Sequence, residues 1–320
     1  MQAARFLGNG RVDIVETPAP EPRAGEALVA VEACALCGSD LRPLRQGWPV
    51  TPGHEVVGRV VSREHALHGH RVLVYIPVFC GACACCRRGE MHLCENATDL
   101  IGWQRPGGYA EALAVPEQCL IPLPDDVPSR LAPLLLDTIG TVSHGLRLVR
   151  HRVSEGPTLV VGAGPIGLGA VIAAQGLSLG PVSVAEPGEY RRSVAEELGA
   201  SPVVDDVGGR FSVVVEASGK DAGRQRAMEA VAPGGVVLQL GESDSWTIAE
   251  NKAIRRKDFT VQRSFYFPLR EMEANLALFR SERRRYERLV DATSGLDGLA
   301  ALFDAFARGE LLKPQLSLEG

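Results

Sequence analysis

The chain reads as an α/β protein with a β-rich part beside a doubly wound parallel sheet, and three observations predict this. The first half breaks into short strand-like runs separated by Gly and Pro. From about Pro157 apolar β runs alternate with helical stretches. A glycine-rich turn joins the first of those runs to the first of those helices. Short strands at close spacing indicate a small antiparallel barrel or sandwich, whereas strand–helix alternation indicates βαβ units.

In the first half the strand-like runs are Ala27–Ala33, Glu55–Val61, Arg71–Ile76 and Glu111–Val115. In the second half the order is strand Thr158–Val161, helix Pro165–Leu179, strand Val182–Ala185, helix Tyr190–Leu198, strand Phe211–Glu216, helix Arg224–Val231 and strand Val236–Leu240. The tail from about Leu269 holds an amphipathic helix, a polar loop, a helix over Leu296–Arg308 and a final apolar strand. The basic run Arg280–Arg288 reads as a solvated helix face and turn. There is no internal repeat and no low-complexity tract.

Composition narrows the function class. A length of 320 residues allows about two domains. Hydrophobic residues make up 45% of the chain and mean hydropathy is +0.02, as in an ordinary water-soluble globule. The 34 basic and 39 acidic residues leave a net charge of −5, which points away from nucleic acid and anionic membranes. Residues 1–22 lack the apolar core of a signal peptide, and no window carries 18 uninterrupted apolar residues. The expectation is a cytoplasmic protein whose eight cysteines are metal ligands and buried thiols rather than disulfides.

Four of those cysteines, Cys80, Cys83, Cys86 and Cys94, follow the spacing C-x2-C-x2-C-x7-C. Four thiolates within fifteen residues close a tetrahedral Zn²⁺ site with no open position, which is a structural site. Cys85 breaks the even spacing and is a bystander. Cys34 and Cys119 sit in apolar surroundings and read as packing residues.

Gly162-Ala-Gly164-Pro165-Ile166-Gly167 is G-x-G-x-x-G directly after a strand and before a helix, the Rossmann dinucleotide fingerprint. Gly162 permits the tight turn, Gly164 lets the backbone approach the pyrophosphate, and Gly167 lets the helix pack on the strand. Pro165 falls in the first helical turn, where its missing N–H is harmless, and the helix N-terminus faces the phosphates. Glu186 ends the next strand, 24 residues after Gly162, near the offset expected of the acid that binds the ribose hydroxyls. A carboxylate there repels a 2′-phosphate, which favours NAD over NADP. The competing reading of Glu186 is a solvated strand-end residue. Arg191 is placed to bond the ribose, and Arg191 with Arg192 is a pair able to admit a 2′-phosphate.

A second, open metal site is suggested by Cys37-Gly-Ser39-Asp40 and Gly53-His54-Glu55. A catalytic zinc needs three protein ligands and one open position. Asp137 supplies a third as a lone carboxylate in an apolar run, where an unpartnered acid is costly. A helix-capping role is its alternative. Glu55 is either a further ligand or a neighbour that tunes the metal.

These pieces occur in the order and spacing of the zinc-dependent medium-chain alcohol and polyol dehydrogenases, which the chain resembles over nearly its whole length. Val214-Val-Glu216-Ala-Ser-Gly219 and Pro233-Gly234-Gly235 add to the likeness. The resemblance implies a GroES-like catalytic domain over 1–138 and 268–320, carrying a zinc lobe at 80–94, with a Rossmann domain inserted over 139–267. It implies two Zn²⁺ per chain, with Cys37, His54 and Asp137 as catalytic ligands and Cys80, Cys83, Cys86 and Cys94 as structural ones. It places Thr141 near the nicotinamide and Ser39 at the start of a proton relay. It further implies a homo-oligomer, dimer or tetramer, that oxidises a small-molecule alcohol or reduces the ketone.

An acid as third ligand leans toward the polyol and sugar enzymes. The expected activity is therefore NAD(P)-dependent oxidation of a secondary hydroxyl of a polyol, sugar or cyclitol. A biosynthetic ketone reductase using NADPH is the alternative, and a zinc-ribbon binding module is the alternative from another class. Two features depart from the family. Arg42 stands five residues after Cys37, where many members carry a relay His, and an Arg is no base at neutral pH. The segments Cys37–His54 and Glu64–Gly69 are also trimmed. His65, His68 and His70, in that trimmed turn, read as a polar loop rather than a third metal site. His144 and His151 read as structural residues of the helix entering the nucleotide domain.

Overall fold

The computed structural model describes residues 1–97, 99–150, 156–203, 209–243, 245–248 and 252–318. His151 lies outside them. The chain forms two compact units, Met1–Leu136 with Val290–Gly320, and Asp137–Leu289.

The first unit is built on a seven-stranded, mainly antiparallel sheet. Its centre is Glu26–Ala35, whose alternate side chains are buried along most of its length, the pattern of a half-buried strand. Glu55–Val60 pairs along one side of it. Ala112–Pro116 and Gln315–Ser317 share the other. A hairpin, Gln2–Gly8 with Arg11–Glu16, precedes this sheet and was not anticipated. Asn9 and Gly10 turn it at φ +53° and +79°, the left-handed pair that an Asn-Gly hairpin turn requires. The hairpin delivers Phe6 to an aromatic cluster. Phe6 meets Phe303 edge-on with centroids 5.1 Å apart, and Phe303 meets Tyr109 at 5.6 Å.

The second unit holds a six-stranded sheet in which every pairing is parallel. In chain order the strands are Thr158–Val161, Val182–Ala185, Ser201–Pro202, Phe211–Glu216, Val231–Gln239 and Thr260–Arg263, and their spatial order is 3-2-1-4-5-6. That is the doubly wound Rossmann order, whose ligand crevice opens between the first and fourth strands. Leu159, Val161, Val214 and Val237 pack with Ala227 and Ala230 from the helix Asp221–Ala230.

The break between units differs from the expected boundaries, most at the second crossing, which falls at 289/290 rather than 267/268. The reason lies in the basic run that the sequence suggested was solvated. Arg285 donates to Gln175 Oε1 at 2.9 Å and to the Leu198 carbonyl, and Arg288 pairs with Glu197 at 3.0 Å. Tyr286 and Leu289 are fully buried. The segment is thereby part of the second unit's packing.

Replacing Phe303 by Ala should destabilise the first unit by about 3–5 kcal/mol, the usual cost of emptying an aromatic site in a core. Equilibrium denaturation followed by tryptophan fluorescence checks this, since Trp48 and Trp103, two of the three tryptophans, lie in that unit.

Candidate metal centres and cofactor turn

The side chains that the sequence groups into two candidate metal clusters lie close together in each case. The sulfurs of Cys80, Cys83, Cys86 and Cys94 lie within 4.8 Å of one another. Cys80 Sγ and Cys86 Sγ are 4.0 Å apart, and Cys83 Sγ and Cys94 Sγ 3.9 Å. A disulfide needs about 2.05 Å. A tetrahedron of sulfurs around zinc, with bonds of about 2.3 Å, has edges near 3.8 Å, so the cluster fits the ion. Main-chain N–H groups already point at the sulfurs. Ala82 and Cys83 donate to Cys80 Sγ at 3.4 and 3.3 Å, Cys86 to Cys83 Sγ at 3.4 Å, and Cys80 to Cys94 Sγ at 3.3 Å. The Ala82 N–H, the Asn96 amide and the Cys83 N–H hold the Cys80 thiol down to about 6, in the thiolate form a metal wants. Cys85 is outside the cluster, its sulfur beside Arg88 Nη2 at 3.3 Å. Cys34 and Cys119 are fully buried, as expected of packing thiols.

The second cluster joins Cys37, His54, Glu55 and Asp137, with one donor atom of each within the same 4.8 Å. Asp137 directly follows Leu136 in the chain. Cys37 ends the loop after Glu26–Ala35 and opens a 3₁₀ turn over Gly38–Asp40. His54 precedes the strand Glu55–Val60. Asp137 starts a π-helical turn, Asp137–Thr141, a feature that often marks a functional position. Thr141 Oγ1 donates to Asp137 Oδ1 at 3.1 Å.

Asp40 organises this centre and is 1% exposed. Its Oδ2 accepts from the Cys37 N–H at 2.9 Å and from the Tyr109 hydroxyl at 2.7 Å, while Oδ1 faces His54 Nδ1 at 3.2 Å. A carboxylate at Nδ1 fixes the tautomer that presents Nε2 to a metal. Burial pushes the Cys37 thiol up, and the bond to His54 pulls it partly back. Burial, with the Asp40 charge beside it, pushes the Tyr109 hydroxyl well above its ordinary range, so it remains a donor. Glu55 and Lys313 form an ion pair in which both side chains are fully buried. Glu55 is thus charge-balanced from the C-terminal segment. A sulfur, an imidazole nitrogen and a carboxylate oxygen remain as a mixed donor set that suits zinc.

Ser39 lies in the 3₁₀ turn, half-buried, two residues from Cys37. The guanidinium of Arg42 sits 5.4 Å over the Trp103 ring, whose centroid is 5.7 Å from that of His54, and Trp48 meets Trp103 edge-on at 5.8 Å. Sequence reasoning missed Tyr109 and these two tryptophans, because nothing local marks them as neighbours of His54. Among the described residues the metal-type clusters are these two, and His65, His68 and His70 belong to neither. His65 Nδ1 instead accepts from the Leu67 N–H at 3.0 Å. His144 faces Glu271 at 3.0 Å beside Arg147, a structural pairing.

The glycine-rich turn fits a dinucleotide. Gly162 has φ +92°, and a Cβ there would stand 2.9 Å from Ser218, across the crevice between the first and fourth strands. A Cβ on Gly167 would strike the Gly162 carbonyl, whereas a Cβ on Gly164 would meet nothing within 4 Å, leaving open space where a pyrophosphate approaches. Gly164 caps the helix Pro165–Gly176, with Pro165 in its first turn and Ile166 half-buried. Glu186 reaches this turn. Its Oε2 accepts from the Ala163 N–H at 2.7 Å and its Oε1 from the Gly188 N–H at 2.8 Å. Arg192 donates to the carbonyls of Glu186 and Pro187 at 3.0 and 3.1 Å. Arg191 is half-buried on the same helix, Glu189–Glu197.

The family model for the alcohol dehydrogenase GroES-like domain matches residues 23–125. The chain is 34% identical over 257 residues to the L-threonine 3-dehydrogenase of Pyrococcus horikoshii, covering 72% of each chain. It is 31% identical to an uncharacterised zinc-type alcohol dehydrogenase-like protein of Escherichia coli K12, over 76% of this chain and 77% of the other. Among solved structures it superposes on the alcohol dehydrogenase TADH from Thermus sp. ATN1 with a TM-score of 0.88 and 30% identity, covering 100% of both. A putative zinc-binding dehydrogenase from Sinorhizobium meliloti bound to NADP gives a TM-score of 0.82 at 26% identity, covering 99% of this chain and 98% of the other. The chain belongs to the zinc-dependent medium-chain alcohol dehydrogenase family. It is an oxidoreductase of that class, with a GroES-like part and a Rossmann part.

Two outcomes test these sites. Purified protein should hold two zinc atoms per chain by elemental analysis. Cys83→Ser should chiefly lower folding yield, and Cys37→Ser should leave a folded, nearly inactive protein with one zinc. A Cys83 variant of normal stability would contradict the structural role. Glu186→Ala should weaken NAD⁺ binding by about 1.5–3 kcal/mol for each charge-assisted bond lost, with NADP⁺ binding held or improved. Calorimetric titration of both dinucleotides checks it, and a wild-type preference for NADP⁺ would contradict it.

Proposed function

We propose that this dehydrogenase oxidises a secondary hydroxyl of a polyol, sugar or cyclitol with NAD⁺, and reduces the ketone in the reverse direction. The observation that carries this is the donor set itself. Asp137 stands third beside Cys37 and His54, within 4.8 Å, where a thiolate would make a softer site. Cys37, His54 and Asp137 are the residues that would hold the catalytic zinc, which when bound acts as a Lewis acid that lowers the pKa of the substrate hydroxyl. Cys80, Cys83, Cys86 and Cys94 would hold the structural ion. The turn Gly162–Gly167 would hold the dinucleotide, which supplies the hydride acceptor.

The remaining work falls to the chain's own side chains. Asp40 holds His54 and the Cys37 loop in place. Lys313 offsets the Glu55 charge, so that a second carboxylate beside Asp137 is tolerated. Ser39 is the residue that would accept the substrate's hydroxyl proton, and with Arg42 lacking a basic form at neutral pH that proton would leave to water. Trp103 and Trp48 form an apolar wall beside His54 that shapes what is admitted and keeps water from the reacting carbon. Glu186, at the glycine-rich turn, is the residue that would receive the ribose hydroxyls of a bound dinucleotide, and Thr141 is the one that would lie near its nicotinamide. With Arg192 engaged on main-chain carbonyls, NAD is favoured over NADP. We take the active form to be a cytoplasmic dimer or tetramer.

A second substrate reading has its own support. Relatives named L-threonine 3-dehydrogenase share 34% identity over 72% of this chain, and threonine also carries a secondary hydroxyl. Initial rates on polyols, sugars, cyclitols and L-threonine with each dinucleotide separate the two. Fast turnover of L-threonine and none of the polyols would replace the first reading by the second.

Asp137→Ala should lose the open-site zinc and about 10²–10³-fold of turnover, the scale of removing one electrostatic stabiliser, while NAD⁺ binding and the four-cysteine zinc survive. Asp137→Cys should recover the metal with altered activity, since thiolate is an ordinary zinc ligand. If Asp137→Ala keeps two zinc atoms and most of its turnover, Glu55 becomes the third ligand.

A further inference from the structure

Tyr109 is fully buried and touches both segments that present ligands of the open site. Its main-chain N–H donates to the Pro52 carbonyl at 3.0 Å, and the chain runs on through Gly53 to His54. A Cβ on Gly53, which has φ +99°, would stand 2.8 Å from the Tyr109 nitrogen and 2.9 Å from its Cγ, so the His54 loop lies directly against this residue. Its hydroxyl reaches the other segment, 2.7 Å from Asp40 Oδ2, the oxygen that also accepts the Cys37 N–H. The ring is fixed from behind by Phe6 and Phe303, at centroid distances of 6.1 and 5.6 Å. A tyrosine clamped on both sides has little freedom to lose when it donates, and a buried carboxylate gains most from each donor it is given.

We propose that Tyr109 is a positioning residue for the catalytic metal, its hydroxyl acting through Asp40 to hold the Cys37 loop and the His54 ring in the arrangement that retains zinc. This rests on Cys37, His54 and Asp137 being the ligands. It assigns to the aromatic core a task beyond packing. Tyr109→Phe isolates that task, because the ring and main-chain contacts stay and only the hydroxyl goes.

The test is chelator competition on zinc-loaded wild type, Tyr109→Phe, Asp40→Asn and the double variant, with zinc release resolved into its two sites. Tyr109→Phe should weaken zinc retention at the open site about 10- to 100-fold, the usual effect of removing a group that supports a ligand. The four-cysteine site should release at the wild-type rate. The cobalt-substituted open site should show a shifted visible spectrum, which packing damage elsewhere would not produce. The double variant should lose no more than Asp40→Asn alone, since the hydroxyl acts through that carboxylate. Unchanged release in Tyr109→Phe, equal weakening of both sites, or additive losses in the double variant would overturn the proposal. A wild-type protein that holds zinc only at the four cysteines would instead overturn the ligand assignment on which it rests.

Discussion

Burying a carboxylate is expensive unless donors answer it, and Asp40 is buried with two donors on one oxygen and an imidazole nitrogen 3.2 Å from the other. The Cys37 N–H and the Tyr109 hydroxyl donate to one oxygen, and His54 Nδ1 faces the other. That one side chain ties together the loop carrying the thiol, the loop carrying the imidazole and the aromatic core beneath them. Remove it and three polar groups lose their common partner in a space with little water to replace it. The same logic applies to Glu55 and Lys313, where two opposite charges are sealed together and either alone would be intolerable.

The two candidate metal clusters are built by different means. The four-cysteine cluster is local, closed within fifteen residues, and its main-chain N–H groups point at sulfur from the turns that carry the ligands. The open centre draws its donors from distant parts of the chain and depends on groups that are themselves buried and paired. A mixed set of one sulfur, one nitrogen and one carboxylate oxygen would leave a bound zinc one position free.

What was legible in the sequence follows from this contrast. Cys80 to Cys94 and Gly162 to Gly167 announce themselves because spacing along the chain is their geometry. The strands Thr158–Val161, Val182–Ala185 and Phe211–Glu216 match their sequence-predicted limits, because buried parallel strands are bare apolar runs. The partners of the open site were not legible in the same way. Tyr109 stands 69 residues from Asp40, and Lys313 stands 258 residues from Glu55. Pairings at such separations are set by the fold, and no local pattern encodes them. The opening hairpin was legible in principle from Asn9-Gly10. The basic run Arg280–Arg288 is a solvated helix face only in part: Arg280, Arg284 and Arg288 are exposed, whereas Tyr286 is buried and Arg285 spends its charge on Leu198 and Gln175.

The central claim is that one chain holds one all-sulfur zinc and one zinc with a single sulfur. Zinc K-edge X-ray absorption on the fully loaded protein tests it directly, because the spectrum averages the two ions. The account predicts about 2.5 sulfur neighbours per zinc at ~2.3 Å, with lighter N/O neighbours at ~2.0–2.2 Å making up the rest. A spectrum of about four sulfurs per zinc and no light neighbours would contradict it, leaving only the cysteine cluster as a metal site.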